Sequence, residues 1–138
     1  MRNYLTPKLE KQELHNMSTL ALAHIGDSVF EIMARSYLAT NGVATSKNLH
    51  KATILMVNAN AQAKFARHIV DELSESEQAL FKRGRNSSPK TIPKNSTRED
   101  YGLATALEAL FGYLYLRQEY DRINILFGKI IENYEKGE

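Results

Sequence analysis

The sequence predicts an all-α fold, and three observations support that prediction. Apolar residues recur at helical spacing in several long segments, and residues typical of helix N-termini precede those segments. No segment shows the sustained apolar–polar alternation of a strand. The chain has 138 residues, enough for one domain with a genuine hydrophobic core. We therefore expect a single helical domain over 1–138, with a polar lead-in over 1–17.

The composition excludes several classes of protein. Hydrophobic residues make up 43% of the chain and charged residues 25%, which is ordinary for a globular domain. With no cysteine, there is no disulfide framework or thiolate zinc site, and we expect a cytoplasmic protein. No apolar block resembles a signal peptide or a membrane span. A net charge of +2 does not by itself indicate a nucleic-acid partner, so the distribution of charge matters more.

The first long helix is predicted from Ser18 to about Ala39. Ser18 is a favourable N-cap, and Asn41-Gly42 tolerates the left-handed conformation at a helix C-terminus. Its apolar stripe predicts one buried face, which comprises Leu22, Ile25, Val29, Ile32, Met33 and Leu38.

Two residues in the middle of this helix do not fit a plain core helix. Gly26 weakens a helix interior by roughly 1 kcal/mol relative to alanine, which suggests close approach of another backbone or side chain. Asp27 follows it, and burial of an unpaired carboxylate there would be expensive. Asp27 therefore needs a partner, for which a metal ion and His24 are the candidates.

A second helix is expected from Thr45 or Ser46, as N-cap, to about Glu72. Its apolar stripe comprises Leu49, Ile54, Val57, Ala61, Phe65 and Ile69. Its polar face is expected to carry His50, Lys51, Asn58, Gln62 and Lys64.

A capping box from Ser74 to Glu77 opens a short helix that is predicted to end at Phe81. The segment 82–98 follows, and we expect it to be a loop because it contains one glycine and two prolines. This segment has no acidic residue and six basic ones: Lys82, Arg83, Arg85, Lys90, Lys94 and Arg98.

A second capping box, Ser96 to Glu99, begins the next helix, which is apolar almost all round and is therefore expected to be central. Glu108 is an isolated carboxylate inside it. The last helix is predicted from about Tyr120 to Tyr134, with an apolar stripe of Ile123, Phe127, Ile130 and Ile131.

The isolated carboxylates and the basic segment together indicate one kind of chemistry. Asp27 and Glu108 are the hard oxygen ligands that Mg²⁺ uses together with water and phosphate oxygens. The basic segment 82–98 would contact phosphates, which dominate affinity for nucleic acids. Metal-assisted phosphodiester hydrolysis uses both features. The alternatives are a structural, capped or ion-paired Asp27 and a merely solvated run of charge.

Four short stretches of the chain resemble the ribonuclease III family. The sequence I-G-D-S-V at 25–29 resembles the core of the family signature L-E-F-L-G-D-S-V, and L-E-A-L-F-G at 107–112 is similar to the family's D-x-F-E-A-L-x-G helix. Between them, 82–86 and 93–95 resemble the Mini-III branch, where R-G-R-N and P-K-N recur. The chain also has no room for an appended double-stranded RNA-binding domain, as expected of Mini-III.

The resemblance implies that Asp27 and Glu108 are acidic catalytic residues that hold Mg²⁺. Two family positions differ. Ala23 stands where the larger enzymes have a glutamate, and Thr105 stands where they have an aspartate. The Mini-III branch is similar in having fewer of these carboxylates, so we expect an active enzyme. With fewer anionic ligands its Mg²⁺ would depend more on water and substrate phosphate, and would bind weakly without RNA.

The resemblance further implies a ribonuclease III-type endonuclease domain that cleaves double-stranded RNA by in-line attack of water, leaving 5′-phosphate and 3′-hydroxyl ends. The implied substrate is the precursor of large-subunit (23S) ribosomal RNA, and a ribosomal protein is a further candidate partner. A homodimer is implied as well, formed through the first helix by Val29, Phe30 and Met33. The alternatives are a non-catalytic RNA-binding module on the same fold and a helical protein-interaction domain.

The predicted RNA contacts are mostly in the basic segment: Arg83, Arg85, Asn86, Lys90, Lys94 and Asn95, with Arg85 and Lys94 foremost. Contacts to phosphates and 2′-hydroxyls would recognise an A-form duplex by its shape. His50 and Lys51, at the start of the second helix, are further candidates for backbone contacts.

Two other polar residues are open to more than one interpretation. Glu31 could assist the metal through water, but a pair with Arg35 four residues later is the favoured interpretation. Thr105 could hydrogen-bond a metal-bound water or the carbonyl four residues before it.

Overall fold

A computed structural model describes residues 2–87 and 91–137 of the chain. Within these residues the protein is all-α, as predicted, and contains no strand. The helices are α1 (Lys11–His15), α2 (Thr19–Thr40), α3 (Ser46–Val57), α4 (Ala59–Ile69), α5 (Glu75–Asn86), α6 (Arg98–Leu116) and α7 (Tyr120–Glu135). A short 3-10 helix, Val70–Glu72, follows α4. Among the described residues, no helix is both long and apolar enough to cross a membrane.

Helix α6 is the central element, which confirms its predicted position. It packs against α2, α4, α5 and α7, and most of its residues are buried. A helix that is apolar on nearly every face can bury all of them only when neighbours surround it. Residues from different sides of α6 therefore face different partner helices, and this places Glu108 at a junction of elements.

Helices α2 and α6 cross with their main chains in direct contact. A Cβ atom at Gly26 would lie 1.6 Å from the carbonyl oxygen of Glu108, and one at Gly112 would lie 2.0 Å from the carbonyl oxygen of Leu22. Only glycine fits at these two positions without moving a helix. The expectation that Gly26 marks close approach of another backbone is confirmed.

The aromatic ring of Phe30 is the centre of the hydrophobic core. Its centroid lies 6.2 Å from the ring of Phe65 on α4, and 5.6 Å from the rings of both Phe111 on α6 and Phe127 on α7. Phe30 has 0% of its surface exposed within a single chain. The expectation that Phe30 packs against a second copy is therefore wrong, because its side chain is completely buried within one protomer.

The buried face of α2 is rotated from the one predicted. It comprises Leu22, Ala23, Gly26, Val29, Phe30, Ala34 and Leu38. Ile32 is 60% exposed, and Ile25 and Met33 are only partly buried. The rotation follows from Gly26, because the contact of this residue with α6 turns its own side of α2 inward.

The predicted second helix is interrupted at Asn58, which separates α3 from α4. Asn58 has extended backbone (φ −67°, ψ 159°), and its side-chain oxygen accepts a hydrogen bond from the amide of Ala61 at 2.8 Å. Its side-chain nitrogen donates to the carbonyl of Ile54 at 3.0 Å. One asparagine thus ends α3 and caps α4, a double use that its side chain allows.

Helix α5 continues to Asn86, so the prediction that it ends at Phe81 is wrong and 82–86 are helical. Gly84 does not break the helix. A Cβ atom there would lie 2.6 Å from Cα of Ala106, so this glycine permits close packing of α5 on α6. The loop begins at Ser87 rather than at Lys82.

The predicted helix caps are confirmed except at α6. Ser18 and Thr45 accept hydrogen bonds from the first turns of α2 and α3, and Ser74 forms the predicted capping box on α5. At α6 the N-cap is Thr97 rather than Ser96, and its hydroxyl accepts from the amide of Asp100 at 3.0 Å.

The lead-in segment before α1 is bound to the C-terminal end of α6. The amide of Leu9 donates to the carbonyl of Leu116 at 2.8 Å. Three side chains near that end of α6 donate to main-chain carbonyls of the lead-in: Tyr115 to Leu5, Arg117 to Leu9 (3.0 Å) and Gln118 to Thr6 (2.8 Å). The polar lead-in is thus an ordered part of the domain.

Candidate active site

The structure brings Asp27 and Glu108 together at the crossing of α2 and α6. Gly26 packs directly on the main chain of Glu108, so the next residue of α2, Asp27, lies beside the same turn of α6. The two carboxyl groups are within hydrogen-bonding reach of one another. Two acidic residues that are far apart in sequence therefore share one space, which the main-chain contact at Gly26 defines.

The environment of Glu108 favours its protonated form. The pKa of its carboxyl group is raised from 4.5 to about 8, mainly by burial and then by a hydrogen bond to Asp27 and the charge of Asp27. The amide of Gln62 acts in the opposite direction. In the metal-free protein at neutral pH, Glu108 is therefore mostly protonated and can donate its proton to Asp27.

These residues fit a hard divalent cation. Among the described residues, the side chains that act on the pKa of Glu108 are Asp27 and Gln62, neither of which is cationic, and a divalent ion would compensate the charge of Glu108. The donor atoms are carboxylate oxygens, the type that Mg²⁺ prefers. Within the described ranges, no group of three or more His, Cys, Asp or Glu residues is arranged to hold a metal. The protein by itself would thus supply only part of a coordination shell.

Sequence reasoning missed Gln62, which it placed on the polar face of the second helix. Gln62 is only 2% exposed, and its side-chain nitrogen lies 3.4 Å from Oε2 of Glu108. The break at Asn58 starts a new helix in which Gln62 is in phase with Phe65, Ala66 and Ile69. That spacing was visible in the sequence, and it would have placed Gln62 on the buried face of α4.

Glu31 and Thr105 each have a partner within their own helix. Arg35 donates to the carboxylate of Glu31, which confirms the favoured ion pair within α2. Thr105 is buried, and its hydroxyl donates to the carbonyl of Tyr101 at 2.9 Å, the carbonyl four residues earlier in the helix. His24 is exposed, and no hydrogen bond to Asp27 is found in the part of the chain that the structure describes.

The predicted RNA contacts lie on two described segments. Arg83, Arg85 and Asn86 are exposed on the last turn of α5, and Lys94 and Asn95 are exposed in the segment before α6. Lys90 lies outside the described residues. His50 and Lys51 are exposed on α3, and no described hydrogen bond or ion pair connects them to the carboxylates.

The segment before α6 is held against α4. The side chain of Asn60 donates to the carbonyl of Asn95 at 3.5 Å. Asn60 is two residues before Gln62, whose side chain reaches Glu108. Nearby, Arg67 of α4 pairs with Asp100 at 2.6 Å, which fixes the start of α6. The described part of the basic segment before α6 is thus held against α4, the helix that also carries Gln62.

An apolar groove of about 670 Å³ lies on another side of α2. Val29 and Met33 line it together with the exposed Ile32. The lead-in segment and the ends of α6 and α7 form its other walls. A second cavity, of about 890 Å³, lies between α1, α5 and α6. Neither cavity includes Asp27 or Glu108.

The fold and the carboxylate pair agree with a comparison to known families. The ribonuclease III domain family matches residues 20–119, a range that includes Asp27, Gln62 and Glu108. The match defines the class of protein as an endoribonuclease, a hydrolase that acts on RNA.

Individual relatives narrow the class. The chain is 44% identical over 138 residues to a Mini-ribonuclease 3 of Clostridium tetani, covering 99% of this chain and 91% of the relative. It is 41% identical over 122 residues to a Mini-ribonuclease 3 of a Thermoanaerobacter species, covering 88% and 86%. A crystal structure of a Fusobacterium nucleatum protein matches with a TM-score of 0.80 and 31% identity, covering 88% of this chain and 98% of that one. The chain belongs to the ribonuclease III family, in its Mini-ribonuclease 3 branch.

Proposed function

We propose that this protein is a Mg²⁺-dependent, homodimeric endoribonuclease that cleaves double-stranded RNA, with the precursor of large-subunit (23S) ribosomal RNA as its substrate. The observation that carries the proposal is the shared space of Asp27 and Glu108 at the crossing of α2 and α6. The proposed substrate rests on the resemblance of this chain to the Mini-ribonuclease 3 branch, which implies precursor ribosomal RNA.

Asp27 and Glu108 would hold the metal ion through their carboxylates. Bound Mg²⁺ supplies stabilisation of the charge that develops on the phosphate during hydrolysis. Glu108 must lose its proton to serve as a ligand, and the ion's charge would lower the pKa that burial raises. Since these two residues complete only part of a coordination shell, we expect weak Mg²⁺ binding to the free protein and tighter binding with RNA present.

The basic segment would bind the phosphates of the duplex. Arg83 and Arg85 on α5 and Lys94 before α6 are exposed cations on the two described arms of this segment. The contact between Asn60 and Asn95 holds the second arm against α4, whose Gln62 contacts Glu108, and we expect a phosphate bound there to belong to the same duplex as the reacting one. Contacts of this kind recognise the A-form backbone and select by shape.

A second copy of the chain would cover the groove on α2. Val29, Ile32 and Met33 present an apolar face there, and Ile32 is 60% exposed in one chain. Large exposed apolar patches mark interaction sites. A two-fold pairing through this face would place one carboxylate pair on each protomer, as cleavage of both strands of a duplex requires.

The proposal is tested by incubating the wild-type protein and an Asp27→Asn variant with a duplex RNA, with and without Mg²⁺. We expect Mg²⁺-dependent cleavage by the wild type, giving 5′-phosphate and 3′-hydroxyl ends. The variant should be slower by about a thousandfold or more, because metal stabilisation of the phosphate is worth several kcal/mol. It should still bind RNA, with an affinity that falls steeply as salt is raised.

Each of the other outcomes would contradict a different part of the proposal. Equal cleavage by both proteins would remove Asp27 from the mechanism. RNA binding without cleavage by the wild type would favour the non-catalytic RNA-binding module. Absence of salt-sensitive RNA binding would favour a protein-interaction domain. A comparison of precursor 23S RNA with an unrelated duplex of equal length tests the substrate separately.

A further inference from the structure

Gln62 is a buried polar residue whose surroundings do not explain it as part of a core. It is 2% exposed, and the other buried residues of α4 are all apolar: Ala63, Phe65, Ala66 and Ile69. An apolar side chain of similar size would fill the same space without desolvating an amide. A residue that is costly to bury needs a reason for being there.

The hydrogen bonds of Gln62 connect the end of α3 to Glu108. Its side-chain nitrogen donates to the carbonyl of Val57 at 2.8 Å and lies 3.4 Å from Oε2 of Glu108. Val57 is the last residue of α3, next to the break at Asn58, so its carbonyl is a fixed main-chain anchor. One amide group thus bridges a rigid helix end and a carboxylate of the candidate active site.

The other half of the amide shows that this arrangement is not optimised for stability. Oε1 of Gln62 is buried and has no hydrogen-bond partner among the described residues. A buried, unsatisfied polar atom destabilises a protein. Native proteins accept such costs mostly where function requires them.

We infer that Gln62 is a positioning residue, which holds the carboxylate of Glu108 towards Asp27 through its side-chain nitrogen. Groups that hydrogen-bond a metal-binding carboxylate fix its orientation and usually affect affinity or activity by 10–100-fold. The inference rests on the proposed function, since it requires that Asp27 and Glu108 act together on a metal ion.

The test replaces the amide while keeping the volume, in Gln62→Met. We expect kcat for duplex RNA to fall by about 10–100-fold. KM should change by less than about twofold, because the phosphate-binding cations are untouched. The rise in Tm that saturating Mg²⁺ gives the RNA-free protein should be smaller in the variant than in the wild type, which reports metal binding without catalysis.

A matched control comes from Asn133 of α7, also a buried amide whose side-chain oxygen lacks a partner among the described residues. Asn133→Leu should leave kcat and the Mg²⁺-induced rise in Tm unchanged. A second variant, Gln62→Asn, keeps the amide but withdraws it by one methylene, and it should reproduce the loss of kcat.

Several results would overturn the inference. They are an unchanged kcat and Mg²⁺ response in Gln62→Met, an equal loss in Asn133→Leu, or failure of both Gln62 variants to fold, which would make the residue purely structural. Failure of the wild type to cleave duplex RNA would instead count against the proposed function. The two failures are therefore distinguishable.

Discussion

At the scale of single residues, the carboxyl group of Glu108 is placed where its charged form is unfavourable. Burial and the nearby Asp27 raise its pKa to about 8, against an ordinary value of 4.5. The folded protein therefore holds a proton that the unfolded chain releases between these two pH values. By linkage, the free energy of unfolding of the metal-free protein falls as pH rises from about 4.5 to about 8.

Glu108→Gln should stabilise the metal-free protein at pH 8 while it abolishes cleavage. At about 1.4 kcal/mol per pKa unit, the gain is a few kcal/mol and should disappear near pH 4.5. Calorimetric melting in the presence of a chelator, from pH 5 to pH 8.5, measures the difference between variant and wild type. Glu132→Gln, at an exposed position of α7, is the control and should melt like the wild type. Parallel Tm curves for Glu108→Gln and the wild type would contradict the prediction.

The two acidic residues and the buried position of Gln62 can be predicted from the sequence, whereas the contacts of Gln62 cannot. Asp27 and Glu108 are carboxylates within apolar stretches of their helices, and the sequence alone shows this. Gln62 is in phase with Phe65 and Ile69 of the predicted apolar stripe, but its polar side chain favours an assignment to the exposed face. Its role depends on contacts with Val57 and Glu108, and those exist only after folding.

At the scale of elements, glycines set how closely the helices approach. Gly26 and Gly112 allow α2 and α6 to touch along their main chains, and Gly84 does the same for α5 and α6. The separation of Asp27 from Glu108 therefore depends on backbone contact, which varies less than side-chain packing. A change at the crossing should alter stability and activity together.

Gly112→Ala should cost about 3 kcal/mol or more, because its Cβ atom would lie 2.0 Å from the carbonyl oxygen of Leu22 and the helices would have to separate. Gly128→Ala, on an exposed part of α7 where a Cβ atom meets nothing within 4 Å, should instead stabilise by up to about 1 kcal/mol. Urea denaturation of both variants measures the contrast. A similar effect of the two substitutions would show that the crossing adapts easily.

Helix ends were easier to predict than helix interiors. The caps at Ser18, Thr45 and Ser74 rest on local hydrogen bonds, so the sequence alone contains them. The sequence does not show that Gly84 packs on Ala106, which is distant in the chain. From sequence alone this glycine therefore predicts the end of a helix. The same glycine is a loop signal or a packing residue depending on what lies opposite it.

At the scale of the whole molecule, the groove on α2 is the surface that we propose for contact with a second copy. The aromatic residue expected there, Phe30, is buried in the protomer, whereas Ile32 is 60% exposed and lines the groove. Ile32 therefore replaces Phe30 as the residue to test for dimer formation.

Ile32→Asp should convert a dimer into a monomer, because pairing would bury the new carboxylate without a partner. Sedimentation equilibrium at several protein concentrations measures the change. Ile125→Asp is the matched control, since Ile125 is 51% exposed on α7 but does not line the groove. A monomeric wild type, or equal dissociation of both variants, would show that the groove is not the interface.

The lead-in segment has a consequence for tolerance to sequence change. Leu5, Thr6 and Leu9 are held to the end of α6 through their carbonyl oxygens, which every amino acid possesses. Substitutions at Thr6 should therefore be accepted readily, whereas Leu5 also lines the groove on α2 and Leu9 also packs against the hydrophobic core. Insertion or deletion of a single residue there would shift every carbonyl away from its donor. The number of residues in this segment is therefore constrained more tightly than their identity.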